Sequence, residues 1–278
     1  MKGKPFINFI KELYKRFVDD EITALSAQLT YYLILAFFPF LIFLITLITY
    51  TPLVTEESLY ALADILPLET YYLVMDVVLE VVYERSLTVL SFGMIGALWA
   101  SSNGVAAIIR GVNKAYDQKD TRSFFVIRGL ALLFTFALIL VILSTFLLLV
   151  LGQIWIVRLL EFLEVSTYYI GIWQWIRYGI SIIIMWFIFT ALYRFAPNRK
   201  IAFRGVLPGS TFATIGWLGT SFIFAYWIDQ FGNFSYMYGS IGGIFLLLIW
   251  LYISSIIILL GAEINATLLY NQENPPTQ

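Results

Sequence analysis

Six stretches of this chain are apolar and long enough to cross a bilayer, and that constrains its fold more than any other feature. A hydrocarbon core about 30 Å thick requires about 20 consecutive apolar residues in a helix. Leu29–Tyr50, Leu87–Ile109, Gly129–Gly152, Trp175–Phe195, Val206–Trp227 and Gly239–Ala262 meet that length. Lipid gives an unpaired backbone group nothing to bond, so such segments must be helices, and a β-barrel would show short alternating runs instead. Of the 278 residues, 60% are hydrophobic and 13% are charged, whereas a soluble domain carries about 25% charge. The expected fold is all-α: a polytopic membrane protein built as a six-transmembrane-helix bundle.

Lysine and arginine set the expected orientation, because they accumulate on the cytoplasmic side. They cluster before the first span (Lys2, Lys4, Lys11, Lys15, Arg16), after the second (Arg110, Lys114, Lys119, Arg122, Arg128) and after the fourth (Arg194, Arg199, Lys200, Arg204). The intervening connections hold only Arg85, Arg158 and Arg177. Both termini are therefore expected in the cytoplasm, with residues 51–86 outside.

This divides the chain into a cytoplasmic amphipathic N-terminal helix (1–22), a six-helix membrane domain (23–270) and a disordered cytoplasmic tail (271–278). In the first segment, Phe6, Ile10, Leu13 and Phe17 share one helical face, which suits either the bilayer surface or the side of the bundle. The first outer connection reads as amphipathic helices divided by Pro67. The second of them carries Glu69, Asp76, Glu80 and Glu84 on one face, which reads as a solvated acidic stripe. The N-terminus has no signal-peptide pattern.

The sequence has no cysteine and no histidine. Disulfides, cysteine nucleophiles and histidine-based acid–base or metal chemistry are excluded; carboxylate-only metal sites stay open. The net charge of −1 gives no sign of a nucleic-acid partner. No catalytic residue, metal or cofactor is expected.

A few residues break the apolar rule. Pro39, mid-span, removes a backbone donor and is a kink or hinge. Asn103, Arg110 and Lys114 recur on one face at spacings of seven and four, and read either as the lining of a polar vestibule open to the cytoplasm or as helix glue with interfacial bases. Two small-residue stripes, one through Gly93, Ala97 and Gly104 and the other through Gly209, Ala213 and Gly216, are candidates for mutual packing. Pro208 is read in the first turn of its helix, where a missing donor costs little. Glu263 follows a charge-free run and lies about 36 Å along its helix from Gly239, at 1.5 Å per residue. It is expected at the cytoplasmic boundary, ionised and paired with a base, Arg110 or Arg204 first. Asn265 either joins that cluster or caps freed carbonyls.

Four stretches, "YYLILAFFPF", "WASSNGVAAIIRGVNKAYD", "LYRFAPNRKIAFRGVLPG" and "YGSIGGIFLLLIWLYISSIIILLGAEINA", resemble the YihY/BrkB family of inner-membrane proteins, once labelled ribonuclease BN. The resemblance runs in order through nearly the whole membrane region. It implies a six-helix, multi-pass protein of the bacterial plasma membrane with cytoplasmic termini, and a link to envelope integrity.

Three functional classes are in view. Transport or translocation of a lipid or other anionic amphiphile would use Asn103, Arg110, Lys114, Arg204, Glu263 and Asn265 as vestibule residues, with membrane lipids as partners. A structural or assembly role in the envelope would need only packing. A membrane ribonuclease would have to rely on Asp117 and Asp120, a loose loop pair among bases, and fits least.

Overall fold

The computed structural model describes residues 4–49, 87–140, 168–230 and 240–273. They form helices α1 (Lys4–Asp19), α2 (Ile22–Thr49), α3 (Leu87–Ala115), α4 (Phe124–Leu140), α5 (Tyr168–Phe195), α6 (Phe203–Gln230) and α7 (Ser240–Glu273), with no strand among the described residues. The fold is all-α. Five helices, α2, α3, α5, α6 and α7, are long and apolar enough to cross a membrane, and α4 is a shorter apolar helix as described. The acidic stripe and the break at Pro67 lie outside the described residues.

The helices overrun the apolar spans. The α2 helix starts at Ile22 rather than Leu29, and α7 continues beyond Ala262 to Glu273. Hydropathy marks where lipid can lie, whereas the helix continues as long as its own hydrogen bonds do. Hydroxyls inside the helices are satisfied locally. Thr30, Thr135, Thr190, Ser210, Thr214 and Ser255 each donate to the carbonyl four residues back, at 2.7–2.8 Å.

The chain forms two compact units, Met1–Tyr31 with Gly104–Gln278, and Tyr32–Asn103. In the smaller unit α2 runs unbroken through Pro39. Gly96 lies opposite the Pro39 ring, and a Cβ at Gly93 would come 3.1 Å from the Phe43 backbone nitrogen. Small residues thus let these two helices approach closely.

In the larger unit α6 packs chiefly on α7 and also on α5, and α1 lies against α7. The glycines of the two small-residue stripes find their neighbours within their own units. Gly209 and Gly216 face Gly261 and Ile257 of α7, Gly111 faces Leu259 of α7, and Gly93 and Gly96 face α2. The α1 helix divides its apolar side chains. Leu13 and Phe17 are half-buried, while Ile7, Ile10, Tyr14 and Val18 point outward, 45–68% exposed.

Candidate functional site

The six vestibule candidates are divided between the two units. Asn103 is half-buried and belongs to the smaller unit; Arg110 and Lys114 belong to the larger. Arg110 and Arg204 are exposed. Lys114 forms an ion pair with Glu21 at 3.5 Å. Glu263 and Asn265 are both fully buried on α7, with different neighbours. The expected pairing of Glu263 with Arg110 or Arg204 is corrected by the structure. Both arginines extend from outward faces of their helices, and Glu263 forms no ion pair among the described residues.

Asn265 closes a gap in α6. Pro208 lies beyond the first turn of α6, because the helix begins at Phe203. The backbone there is poor in intrahelical partners. Asn265 accepts a hydrogen bond from the Gly209 N–H at 2.6 Å and donates through Nδ2 to the Val206 carbonyl at 3.1 Å. Any Cβ at Gly209 would collide with the Gly261 carbonyl and the Asn265 amide. On the other side of Gly261 the buried Tyr193 hydroxyl donates to the Ile258 carbonyl at 2.6 Å. Of the two roles open to Asn265, the structure gives it the capping one.

A polar lock joins the α3–α4 and α5–α6 connections. Arg122 donates to both oxygens of Asp120, at 2.8 and 2.7 Å, and to the Ala196 carbonyl at 2.9 Å. Asn113 donates to Asp120 at 2.9 Å and accepts from the Asn198 N–H at 2.6 Å. The hydrogen-bonded guanidinium of Arg122 holds the Asp120 carboxyl below its ordinary range. Both Asp120 oxygens are occupied, by Arg122 and Asn113, while Asp117 is paired with Arg16.

The second cluster has the opposite character. Glu263 is fully buried, and neither of its oxygens meets a hydrogen-bond donor among the described residues. It interacts with another carboxyl, that of Asp20, in the turn between α1 and α2. Asp117 adds a third negative group, and Arg16 supplies the positive one. Arg16 also contacts Glu12 at 3.5 Å and Asp117 at 3.4 Å and lies over the Tyr270 ring at 4.9 Å. Burial pushes the Asp20 carboxyl up, and Asp117 adds to the effect; the Glu263 contact, Lys114 and Arg16 oppose it.

The turns that bring these groups together are strained. Glu21 and Asp117 both have φ of 53°, and they are the non-glycine residues with positive φ among those described. Aspartate tolerates this region, but glutamate adopts it rarely. At Glu21 the turn ends α1, where Asp20 and Glu21 donate to Arg16 and Val18, and starts α2, where Ala24 and Leu25 donate to Glu21.

Beside this cluster lies a cavity of about 260 Å³, lined by Arg16, Tyr116, Asp117, Arg199, Tyr270 and Glu273 among others. Arg199 reaches Glu273 in an ion pair. The Tyr116 hydroxyl is buried, has no hydrogen-bond partner among the described residues, and feels both Arg199 and Glu263. Burial pushes this phenol up. Among the described residues no group of three or more Asp or Glu is arranged to hold a metal ion.

Sequence reasoning missed Asp20. Its signal was the acidic run Asp19–Asp20–Glu21, set directly before the first apolar helix, where a basic flank is usual.

Comparison with known proteins places the chain. The family model described as Virulence factor BrkB matches residues 13–278. The ribonuclease-like protein YfkH of Bacillus subtilis is 42% identical over 273 residues, covering 98% of each chain. A UPF0761 membrane protein of Vibrio parahaemolyticus is 27% identical over 271 residues, covering 94% of this chain and 82% of the relative. Another, from Pseudoalteromonas translucida, is 37% identical over 89 residues, 32% of this chain and 28% of the relative. No solved structure matches. The chain belongs to the BrkB family of membrane proteins.

Proposed function

We propose that this BrkB-family membrane protein is a transporter or translocase of an anionic amphiphile, such as a lipid, and that its polar cavity faces the cytoplasm. One observation carries the reading: the cavity presents two arginines, Arg16 and Arg199, each held by a solvent-accessible carboxylate. Arg16 itself is largely buried, but the two carboxylates are accessible to water, which weakens their hold on the arginines. An anionic headgroup can therefore replace Asp117 or Glu273 at little cost. The helix that supplies Arg16 turns Ile7, Ile10, Tyr14 and Val18 outward, a surface suited to acyl chains. A recess of exchangeable ion pairs next to an apolar stripe fits an amphiphile better than a small polar solute.

An enzymatic reading has less support. The ribonuclease-like name belongs to the Bacillus subtilis relative. In this chain Asp120 is committed to Arg122 and Asn113, and Asp117 is paired with Arg16. We propose a role without catalysis.

The test uses proteoliposomes containing fluorescently tagged anionic or zwitterionic phospholipid, with transbilayer movement followed by dithionite quenching. The anionic probe should cross faster than in protein-free vesicles, and Arg16→Gln with Arg199→Gln should slow it severalfold. Movement at the protein-free rate, with no lipid retained in native mass spectrometry, would overturn the reading. That outcome would favour a structural or assembly role, for which the tight Gly209–Gly261 crossing is the supporting observation. Orientation is tested by impermeant thiol labelling of the naturally cysteine-free chain. In intact cells Glu80→Cys should label and Lys119→Cys should not; the reverse would place the cavity outside.

A further inference from the structure

We infer that Asp20 and Glu263 together form a proton-binding site, and that its occupancy sets how firmly the α1–α2 turn is held against α7. The inference goes beyond the transport reading and stands without it.

Three observations converge. Glu263 is fully buried and its oxygens meet no N–H or O–H donor among the described residues. Across the contact between α1 and α7, its carboxyl interacts with that of Asp20. Asp20 sits in a turn whose next residue, Glu21, holds a positive φ. An ionised carboxylate can only accept, so a proton shared between the two carboxyls is what lets them bond to each other. With the proton present, one O–H donates to the neighbouring carboxylate, and the turn is tied to α7. With it absent, two like charges repel inside a largely buried site. The turn is the element that yields, because it is already strained.

The surrounding charges do not neutralise the pair. Arg16 of α1 faces it but is shared with Glu12 and Asp117. Lys114 at the end of α3 lies near Asp20 and is paired with Glu21. Asp117 adds negative charge, and the Tyr116 hydroxyl is neutral. Arg199 acts on Tyr116 and pairs with Glu273. Lys114 and Arg199 are thus committed to other carboxylates, the single Arg16, whose buried Nε has no hydrogen-bond partner among the described residues, offsets one of two acids, and a proton is the ligand that completes the site. Tyr116 is buried next to Glu263 and also lines the cavity, so the proton site and the cavity share a wall.

The test is an infrared titration of the full-length protein in nanodiscs, combined with a distance measurement. The wild type should show the carbonyl stretch of a carboxylic acid well above the pH, about 4, at which ordinary carboxyls ionise. Glu263→Gln should abolish that band. Asp20→Asn should lower its midpoint by about one pH unit or more, because a neighbouring negative charge is removed. Spin labels on Tyr14→Cys and Asn271→Cys, both exposed, should give a narrow distance distribution while the band is present and a broader one once it has titrated. In Glu263→Gln the narrow distribution should persist at alkaline pH, since the amide donates permanently. The absence of an acid band, a midpoint unmoved by Asp20→Asn, or a distance that ignores pH would each overturn the inference. If Glu263→Gln does not fold, the Asp20→Asn midpoint decides alone.

Discussion

Two polar clusters occupy the larger unit, and they handle a carboxylate in opposite ways. Asp120 meets a guanidinium that takes both of its oxygens, plus the Asn113 amide. Glu263 meets Asp20, another acid, and its oxygens have no donor among the described residues. The first arrangement fixes two connections to each other and leaves nothing to exchange. The second stays unsatisfied until something binds. Buried charge in a membrane protein is tolerated where it is paired, or where leaving it unpaired serves a purpose. This contrast, more than any sequence motif, distinguishes a structural acid from a candidate functional one.

The contrast is broken most directly by Arg122→Met. Asp120 is only 16% exposed, so stranding its charge should cost about 3 kcal/mol, read as a loss of thermal stability in detergent. Adding Asp120→Asn should restore part of that loss. A cost below about 1 kcal/mol would show the lock to be a wet surface pair.

Asn265→Leu probes whether unmet hydrogen bonds alone, without charge, are as costly. It strands the Gly209 N–H in a buried site, while the Val206 carbonyl keeps the Ser210 hydroxyl, and should cost about 2 kcal/mol. Stability equal to the wild type would mean that α6 closes its own gap at Pro208.

The pH responses should have opposite signs. The Asp120 carboxyl is lowered by Arg122, so its contribution is present above the unfolded value, about 3.9, and is lost as pH falls through the folded value. The Asp20 carboxyl is raised by burial, so its contribution is complete below that unfolded value and is lost as pH rises through the folded one. In melting temperature against pH, Asp120→Asn should flatten the acid limb and Asp20→Asn the alkaline limb. Both variants changing the same limb would erase the distinction between the clusters.

Glu263→Gln should change stability by less than about 1 kcal/mol near neutral pH, because an amide resembles the protonated acid in shape and donor capacity. A loss comparable to Arg122→Met would show that Glu263 is held as a charge. The smallest effect belongs to the Glu263→Gln and Arg110→Gln cycle, which should be additive within about 0.5 kcal/mol, since no contact joins the two residues. Coupling beyond that would restore the pairing that the structure replaces.

The sequence by itself determined the helical class, the membrane setting and the family. These depend on composition and on runs of about 20 residues, which lipid reads along one helix at a time. It also marked Glu263 and Asn265 as residues needing a partner. Which partner was a matter between helices. Asp20 lies 243 residues away from Glu263 in the chain. It became the neighbour because α1 lies on α7 and a strained turn aims it inward. Arg110 and Arg204 match Glu263 in charge and share its end of the spans, and still point outward. A pairing argument from the sequence uses charge and position along the helix axis; rotation about that axis is set by packing, here by glycine at 209 and 261 seating α6 on α7. The tertiary structure therefore turned an expected ion pair into a pair of acids.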